Sequence, residues 1–314
     1  MKNILLTFSI FILAACQSIN KPAPIKAITQ TQMSTEIPVT VTFTSTPPTQ
    51  TPQPTSVPEG VKISSVDGMT QLFIPTGTVY MGGLDVLRDN DEIPAHKVQI
   101  NAYWVDQVEV TNGMYNLCVQ AGTCRPPVNR SSDNRFDYFG NPEFQDYPVV
   151  YVSWVDANLY CQWAERRLPT EAEWERAARG DDMRTFPWGN EPPNSKNSNT
   201  GNSVGDTTRV GSYAEGASAF GAFDMAGNVW EWVADYYKAN YYESSPAENP
   251  TGPENSSGTN FRVIRGGSFQ DTHLSLRLSN RGYEVGPDPF TSAPNVAYYG
   301  RSSAKIGFRC VVDK

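Results

Sequence analysis

Alternating apolar and polar positions predict short strands in the chain after residue 60. Leu72–Met81 and Val98–Val105 place β-branched and aromatic residues at alternate positions, which is typical of half-buried strands. Gly82–His96 between them is polar and is predicted to be a loop. Further short strands are predicted at Arg262–Phe269, Leu276–Arg281 and Gly307–Val312.

Capping patterns predict two helices. Ser153 stands three positions before Asp156, and helically spaced apolar residues follow. Thr170 and Glu173 form a second capping box, and Gly180 is a suitable terminator for the helix that follows. The predicted buried faces are Ala157, Tyr160, Cys161 and Ala164 in the first helix and Trp174, Ala177 and Ala178 in the second. A weaker helical pattern covers Asn112–Gln120.

The beginning of the chain has the pattern of an export signal. The apolar run Ile4–Leu13 is too short to span a bilayer as a mature helix, and small residues follow it. The sequence Leu-Ala-Ala-Cys at its end resembles a bacterial lipobox, in which Cys16 is the lipidated first residue of the mature protein. An ordinary cleaved signal with a chance cysteine is the alternative. We therefore predict a lipoprotein signal peptide at residues 1–15 and a lipid-anchored, extracytoplasmic protein of the bacterial cell envelope.

Residues 16–60 are predicted to be a disordered tether. They are crowded with Thr, Pro and Gln, and such a composition buries too little apolar surface to fold. At roughly 3 Å per residue where extended, the tether could hold a domain on the order of 100 Å from the membrane. Its threonines could alternatively carry O-linked sugars. Residues 61–314 then form one loop-rich globular domain of about 250 residues.

Composition narrows the classes of function. The chain has a net charge of −8, which argues against a broad nucleic-acid-binding surface. Its only two histidines, His96 and His273, argue against a histidine-cluster metal site.

Four cysteines remain once the lipobox cysteine is set aside. An even number in an exported domain favours two disulfides, and three pairings are possible. A local bridge between Cys118 and Cys124 is reasonable, and Cys161–Cys310 would then link the first capped helix to the last strand. Four free thiols are the alternative.

The run Phe220–Tyr237 contains the most concentrated candidate chemistry. Asp224, Asn228 and Glu231 offer hard oxygen ligands within a short segment, which suits calcium. The alternative is a rigid turn without an ion, because short acidic motifs often match by accident.

An ordered series of motifs runs through residues 61–314. The motifs are Gly77-Thr78 with Met81-Gly82, Val108–Asn112, Tyr147–Val149, Val152–Trp154, Arg167–Gly180 (RLPTEAEWERAARG), PWGN, DMAGNVWEW, RGGSF and GFRC. Together they resemble the formylglycine-generating enzyme, or sulfatase-modifying factor, family. The resemblance implies an irregular α+β fold related to C-type lectins, with little regular secondary structure.

The resemblance also implies structural calcium and one disulfide. In the family's second calcium site, a side-chain oxygen, two backbone carbonyls and a glutamate bind the ion, and the matching positions are Asp224, Gly227, Val229 and Glu231. The first site falls in an Asn-rich loop that is shorter here, and the nearest matches are Asn199, Thr200, Asn202 and Val204. The family's long-range disulfide corresponds to Cys161–Cys310.

The family's oxidative centre does not carry over to this sequence. Oxygen-dependent members follow Gly-Gly-Ser-aromatic with one cysteine, and a second cysteine stands five positions later. These two thiolates bind copper(I), a soft ion that accepts sulfur ligands. Asp271 and Leu276 occupy the two positions in this chain, so no copper is expected.

The framework around these positions predicts a binding cleft rather than an oxidase. The cleft residues are Trp230, Arg265, Ser268, Asp271 and His273. A Ser-Asp-His hydrolase is disfavoured, because Ser268 would lie on the opposite strand face and no nucleophile elbow is present. We predict a lipid-anchored binding or accessory module for a peptide, glycan or protein partner. The alternative is a formylglycine-generating oxidase, or a divergent oxidase on the same fold.

Overall fold

The computed structural model describes residues 60–256, 258–287 and 299–314. The predicted signal peptide, Cys16 and all of the predicted tether except Gly60 lie outside the described residues. Within those ranges, no helix is long and apolar enough to cross a membrane.

The described strands form three small sheets. The first sheet has the antiparallel order β1-β2-β5-β10, with β1 at Val61–Ile63, β2 at Thr70–Ile74, β5 at Tyr103–Asp106 and β10 at Val311–Asp313. The second is a pair, β3 at Gly77–Met81 and β4 at His96–Ile100. The third has the order β8-β7-β6-β9, with β6 at Trp230–Tyr236, β7 at Phe261–Arg265, β8 at Gly282–Val285 and β9 at Ile306–Phe308. In this third sheet only the β6–β9 pair is parallel, and it brings the DMAGNVWEW motif beside the GFRC motif.

The three predicted helices are confirmed. They are α1 at Asn112–Gln120, α2 at Trp154–Trp163 and α3 at Glu171–Arg179. Both predicted capping boxes form, Ser153 with Asp156 and Thr170 with Glu173, so each satisfies otherwise unpaired N–H groups of the first turn.

Several predicted strands have different bounds in the structure. Leu72–Met81 is two strands separated by Pro75 and Thr76, and Val98–Val105 is two strands separated by Asn101 and Ala102. Each interruption moves the chain from one sheet to another, which alternation alone does not reveal. Gly307–Val312 is likewise divided between β9 and β10.

Two other strand predictions fail for local reasons. The predicted strand Arg262–Phe269 ends at Arg265, because Gly266 and Gly267 have φ angles of 96° and 73°. The prediction of a strand at Leu276–Arg281 is wrong: this segment consists of turns, and β8 begins only at Gly282. Strand β6 is not among the predicted strands, because its residues fall in the run Phe220–Tyr237, which is interpreted above as an ion-binding segment or a rigid turn.

Helix α3 is buried on all sides, rather than along one apolar face. All nine of its residues are buried, including three glutamates and two arginines. These charges are tolerated because they are paired or hydrogen-bonded, mostly by residues far away in the sequence. The helix is therefore the central element against which β3, β4, β6 and β7 pack.

Both disulfides are present. Cys118 is bonded to Cys124 across the end of α1, and Cys161 of α2 is bonded to Cys310 between β9 and β10. Cys161–Cys310 is the pairing that the resemblance implies, and Cys118–Cys124 is the local bridge expected from the short loop between them. All four cysteines lie in one buried cluster around α1 and α2.

Candidate functional site

Three loops meet at the end of β6 that carries Trp230. They are residues 199–204, 224–230 and 266–276, and we call their meeting point the three-loop junction. The Phe269 N–H donates to the carbonyl of Asn228 at 2.9 Å, and the Gly227 N–H donates to the carbonyl of Gly266 at 2.9 Å. The Asn202 N–H donates to the carbonyl of Phe269 at 2.7 Å. Backbone hydrogen bonds thus fix all three loops relative to one another.

Asp271 acts as a structural cap within the junction. Its Oδ2 accepts hydrogen bonds from the Ser268 N–H at 2.9 Å and from the Ser268 hydroxyl. The same oxygen accepts from the Trp230 Nε1–H at 2.9 Å. The carboxylate therefore closes the turn after Gly267 and holds the indole of Trp230 against it.

Leu276 fills an apolar space beside the same turn. Its side chain is 0% exposed and packs with Phe186, Ala226 and Trp188. A Cβ added at Gly267 would lie 2.8 Å from Leu276 Cδ1, so the leucine closely approaches the glycine backbone. The position is packed and apolar, with no donor group for a metal.

Only part of the predicted cleft comes together. Trp230, Ser268 and Asp271 are in contact, as described above. Arg265 instead points into the interior, where its guanidinium pairs with Glu171 Oε1 at 2.8 Å and Glu175 Oε2 at 2.7 Å. His273 is exposed and has no hydrogen bond to Ser268 or Asp271 in the described structure, so the hydrolase arrangement does not form.

Glu231, predicted as a calcium ligand, is paired with an arginine. Arg309 donates from Nε to Oε2 and from Nη2 to Oε1 of this carboxylate, both at 2.7 Å. The Trp174 Nε1–H also donates to Oε2, at 2.8 Å. Asp224 Oδ2 accepts from the Gly211 N–H at 2.6 Å. Arg309 therefore engages both oxygens of Glu231.

Two other buried oxygens near Asn228 are open. Glu109 Oε2 and Asn199 Oδ1 lack hydrogen-bond partners in the described part of the chain, although each residue contacts Asn228 through its other polar atom. Burial and the nearby carboxylates of Asp224 and Glu231 raise the pKa of Glu109 well above its ordinary value. Burial also raises the pKa of Asp224.

These observations test the fit of calcium to the junction. Glu109, Asp224 and Glu231 are buried near the guanidinium of Arg309, and a cation there would favour the ionised forms of Glu109 and Asp224. The described residues contain no group of three or more His, Cys, Asp or Glu side chains that could hold a metal. A calcium ion here would therefore need a mixed ligand set, and the open oxygens of Asn199 and Glu109 with backbone carbonyls would suit it. Glu109 and Arg309 lie within two of the sequence motifs, Val108–Asn112 and GFRC, but the motifs alone indicate no role for them.

Comparison with known proteins identifies the family. The model of the sulfatase-modifying factor enzyme 1-like domain matches residues 58–314. The chain belongs to this family. The formylglycine-generating enzyme of Streptomyces coelicolor is 30% identical over 302 residues, covering 77% of this chain and 89% of that protein. PvdO from Pseudomonas aeruginosa superimposes with a TM-score of 0.66 at 28% identity, over 83% of this chain and 100% of that structure. The predicted resemblance and α+β fold are confirmed.

Some relatives contain the sulfatase-modifying factor domain as part of a longer protein. The serine/threonine-protein kinase pkn1 of Chlamydia pneumoniae is 33% identical over 253 residues, which is 77% of this chain but 38% of the kinase. The shared region thus amounts to less than half of that relative.

Proposed function

We propose that this sulfatase-modifying factor domain is a non-redox binding or accessory module for a peptide, glycan or protein partner. The structural role of Asp271 and Leu276 carries the proposal. One side chain caps a turn and the other fills an apolar space, at the two positions where oxygen-dependent relatives carry thiolates. Copper(I) requires soft ligands, and neither a carboxylate nor an alkyl group supplies one. The alternative, formylglycine-generating oxidation, draws its support from the relatives that bear that name.

An activity assay tests the proposal directly. The full-length chain is incubated with copper, oxygen, a thiol reductant and a cysteine-containing sulfatase peptide, and the aldehyde product is sought by mass spectrometry. We expect no product above the no-protein control. Aldehyde formation by the unmodified chain would establish the oxidase instead.

The double variant Asp271→Cys with Leu276→Cys is the matched gain-of-function experiment. We expect it to bind copper(I), because two thiolates then face one turn. Each single variant is its control and should bind copper(I) much more weakly. Equal binding by the singles and the double would contradict the paired arrangement.

We further propose that the protein is attached through a lipid on Cys16 to the extracytoplasmic side of the cell envelope. The lipobox-like sequence supports this, and two disulfides suit an oxidising compartment. Cys16→Ser is expected to shift the protein from the membrane fraction to the soluble fraction after cell disruption. Unchanged fractionation and unchanged mobility on a gel would refute the anchor.

We propose that structural calcium binds at the three-loop junction through Asn199 and Glu109. Binding to the folded state alone raises stability by about 2.7 kcal/mol at a calcium concentration of 100 times the Kd, so a chelator should lower Tm. Asn199→Ala should remove this calcium-dependent difference. Glu231→Gln should lower Tm with and without calcium, because it breaks the pair with Arg309. A Tm that is insensitive to chelator, with no calcium in the purified protein, would exclude the site.

A further inference from the structure

A second candidate site lies toward the opposite end of β6 from the three-loop junction. A cavity of about 650 Å³ is lined by Trp154, Arg167, Arg262 and other residues of α2, α3 and the neighbouring strands. Ala234 of β6 also lines it, and Trp230 and Tyr236 at the two ends of β6 are separated by roughly 20 Å at the usual strand rise. The cavity is thus separate from the positions that the family uses for oxidation.

Arg262 is held rigidly at this cavity. Its guanidinium carbon lies 3.9 Å from the centre of the Trp154 ring and 3.4 Å from the centre of the Tyr236 ring. Such stacking covers the faces of the guanidinium and leaves its edges for hydrogen bonds. Nη1 donates to the carbonyl of Ala234, whereas Nε is buried and donates to no atom in the described ranges.

The charge of Arg262 has no directly paired carboxylate. The side chain is only 9% exposed, and no acidic group of the described residues lies within 4.0 Å of its nitrogens. Each of the other buried arginines in the described ranges does have such a partner: Arg166, Arg176, Arg179, Arg265, Arg277, Arg281 and Arg309. Burial lowers the pKa of Arg262, but a guanidinium stays protonated at neutral pH.

Nearby acidic groups are engaged elsewhere. Arg167, also in the cavity lining, binds Glu173 at 2.7 Å and Asp313 at 2.6 Å. Asp235 acts on Arg262 only through its electrostatic field, and its Oδ2 accepts the Glu171 N–H at 2.8 Å. An anion entering the cavity would therefore meet a buried guanidinium that no carboxylate contacts directly.

We propose that this cavity binds a small organic carboxylate through the guanidinium of Arg262. A guanidinium presents parallel donors in the spacing of a carboxylate, and the stacked rings fix its direction. Neutral hydrogen-bonding side chains also line the cavity, namely Asn158, Thr170, Asn249 and Thr251. A volume of this size accommodates a small-molecule ligand. The inference deepens the proposed binding function and rests on it only for the role of the bound molecule.

Matched acids and amides test the site on the full-length chain by isothermal titration calorimetry. The probes are N-acetyl-L-leucine with its amide, D-glucuronic acid with D-glucuronamide, and sodium phosphate. We expect at least one acid to bind and its amide to bind at least about tenfold more weakly, because the amide loses the charge-assisted pair. The two acids distinguish a peptide-like ligand from a sugar acid.

Variants of Arg262 test whether acid binding depends on its guanidinium group rather than on the packing of its side chain. Arg262→Gln should abolish acid binding, and Arg262→Lys, which keeps the charge but loses the fork, should weaken it at least about tenfold. Arg209→Gln removes an exposed arginine that pairs with Asp146 outside the cavity, and it should bind like the unmodified chain. If Arg262→Gln does not fold, the lysine variant and the acid–amide comparison decide the question.

Several results would overturn the proposal. These are equal binding of acid and amide, undiminished acid binding by the folded Arg262 variants, binding of phosphate alone, or no acid binding at concentrations of about 10 mM. The proposed non-redox function fails by a different result, aldehyde formation in the peptide assay. The two failures are therefore distinguishable.

Discussion

Replacing Cys161 and Cys310 together by alanine is expected to lower the free energy of unfolding by about 5 kcal/mol on the chain-entropy model. The bridge closes a loop with a sequence separation of 149, and it holds α2 against the end of the chain. Without it, the unfolded chain gains much conformational freedom. Denaturant unfolding in the absence of reductant measures the difference.

The pair Cys118 and Cys124 provides the matched control. Their bridge has a sequence separation of 6, so the same model gives a smaller loss of about 2 kcal/mol for the double alanine variant. Peptide mapping without reduction should recover both bridged pairs. Equal losses for the two double variants would show that loop length does not govern the effect, and free thiols in the purified protein would contradict the pairing itself.

Replacing Arg265 by methionine is expected to lower the free energy of unfolding by about 3–5 kcal/mol. Arg265 is 0% exposed, and its guanidinium bridges Glu171 and Glu175 of α3. Methionine would leave the buried carboxylates of Glu171 and Glu175 without the guanidinium that bridges them. Arg179 contacts Glu175 and Arg281 contacts Glu171, but neither pairs with both glutamates as Arg265 does.

Arg209→Met serves as the control for the Arg265 variant. Arg209 pairs with Asp146 on the surface, where both side chains are well exposed, so the expected loss is about 0–1 kcal/mol. Urea titrations of both variants under one buffer condition give the comparison. A loss from Arg265→Met no greater than that from Arg209→Met would refute the structural importance of the buried cluster.

The buried position of Arg265 shows that neighbouring residues of one motif can have separate structural roles. The residues of the RGGSF motif are adjacent in sequence, yet they contact different parts of the molecule. Arg265 stabilises α3 from the interior, whereas Ser268 forms the turn capped by Asp271. Asp271 and Leu276 support this turn themselves, one as its cap and the other by filling the space beside Gly267, so the scaffold does not require thiolates at these positions.

The sequence determined the features that depend on near neighbours or on motif order. The capping boxes at Ser153 and Thr170 predicted the starts of α2 and α3, because each box joins residues three positions apart. The ordered motifs predicted the family, and by that resemblance Asp271 and Leu276 stand at the two cysteine positions.

Tertiary structure decided which partner each charged side chain contacts. The sequence predicted Glu231 as a calcium ligand, but Arg309, 78 positions away, donates hydrogen bonds to both of its oxygens. The sequence predicted Arg265 in a cleft, but its guanidinium pairs in the interior with Glu171, 94 positions away in α3. Arg262, by contrast, reaches a cavity and finds two aromatic rings but no carboxylate partner among the described residues. Ion pairing and burial depend on which distant segments the fold brings together, and local periodicity carries no information about that choice.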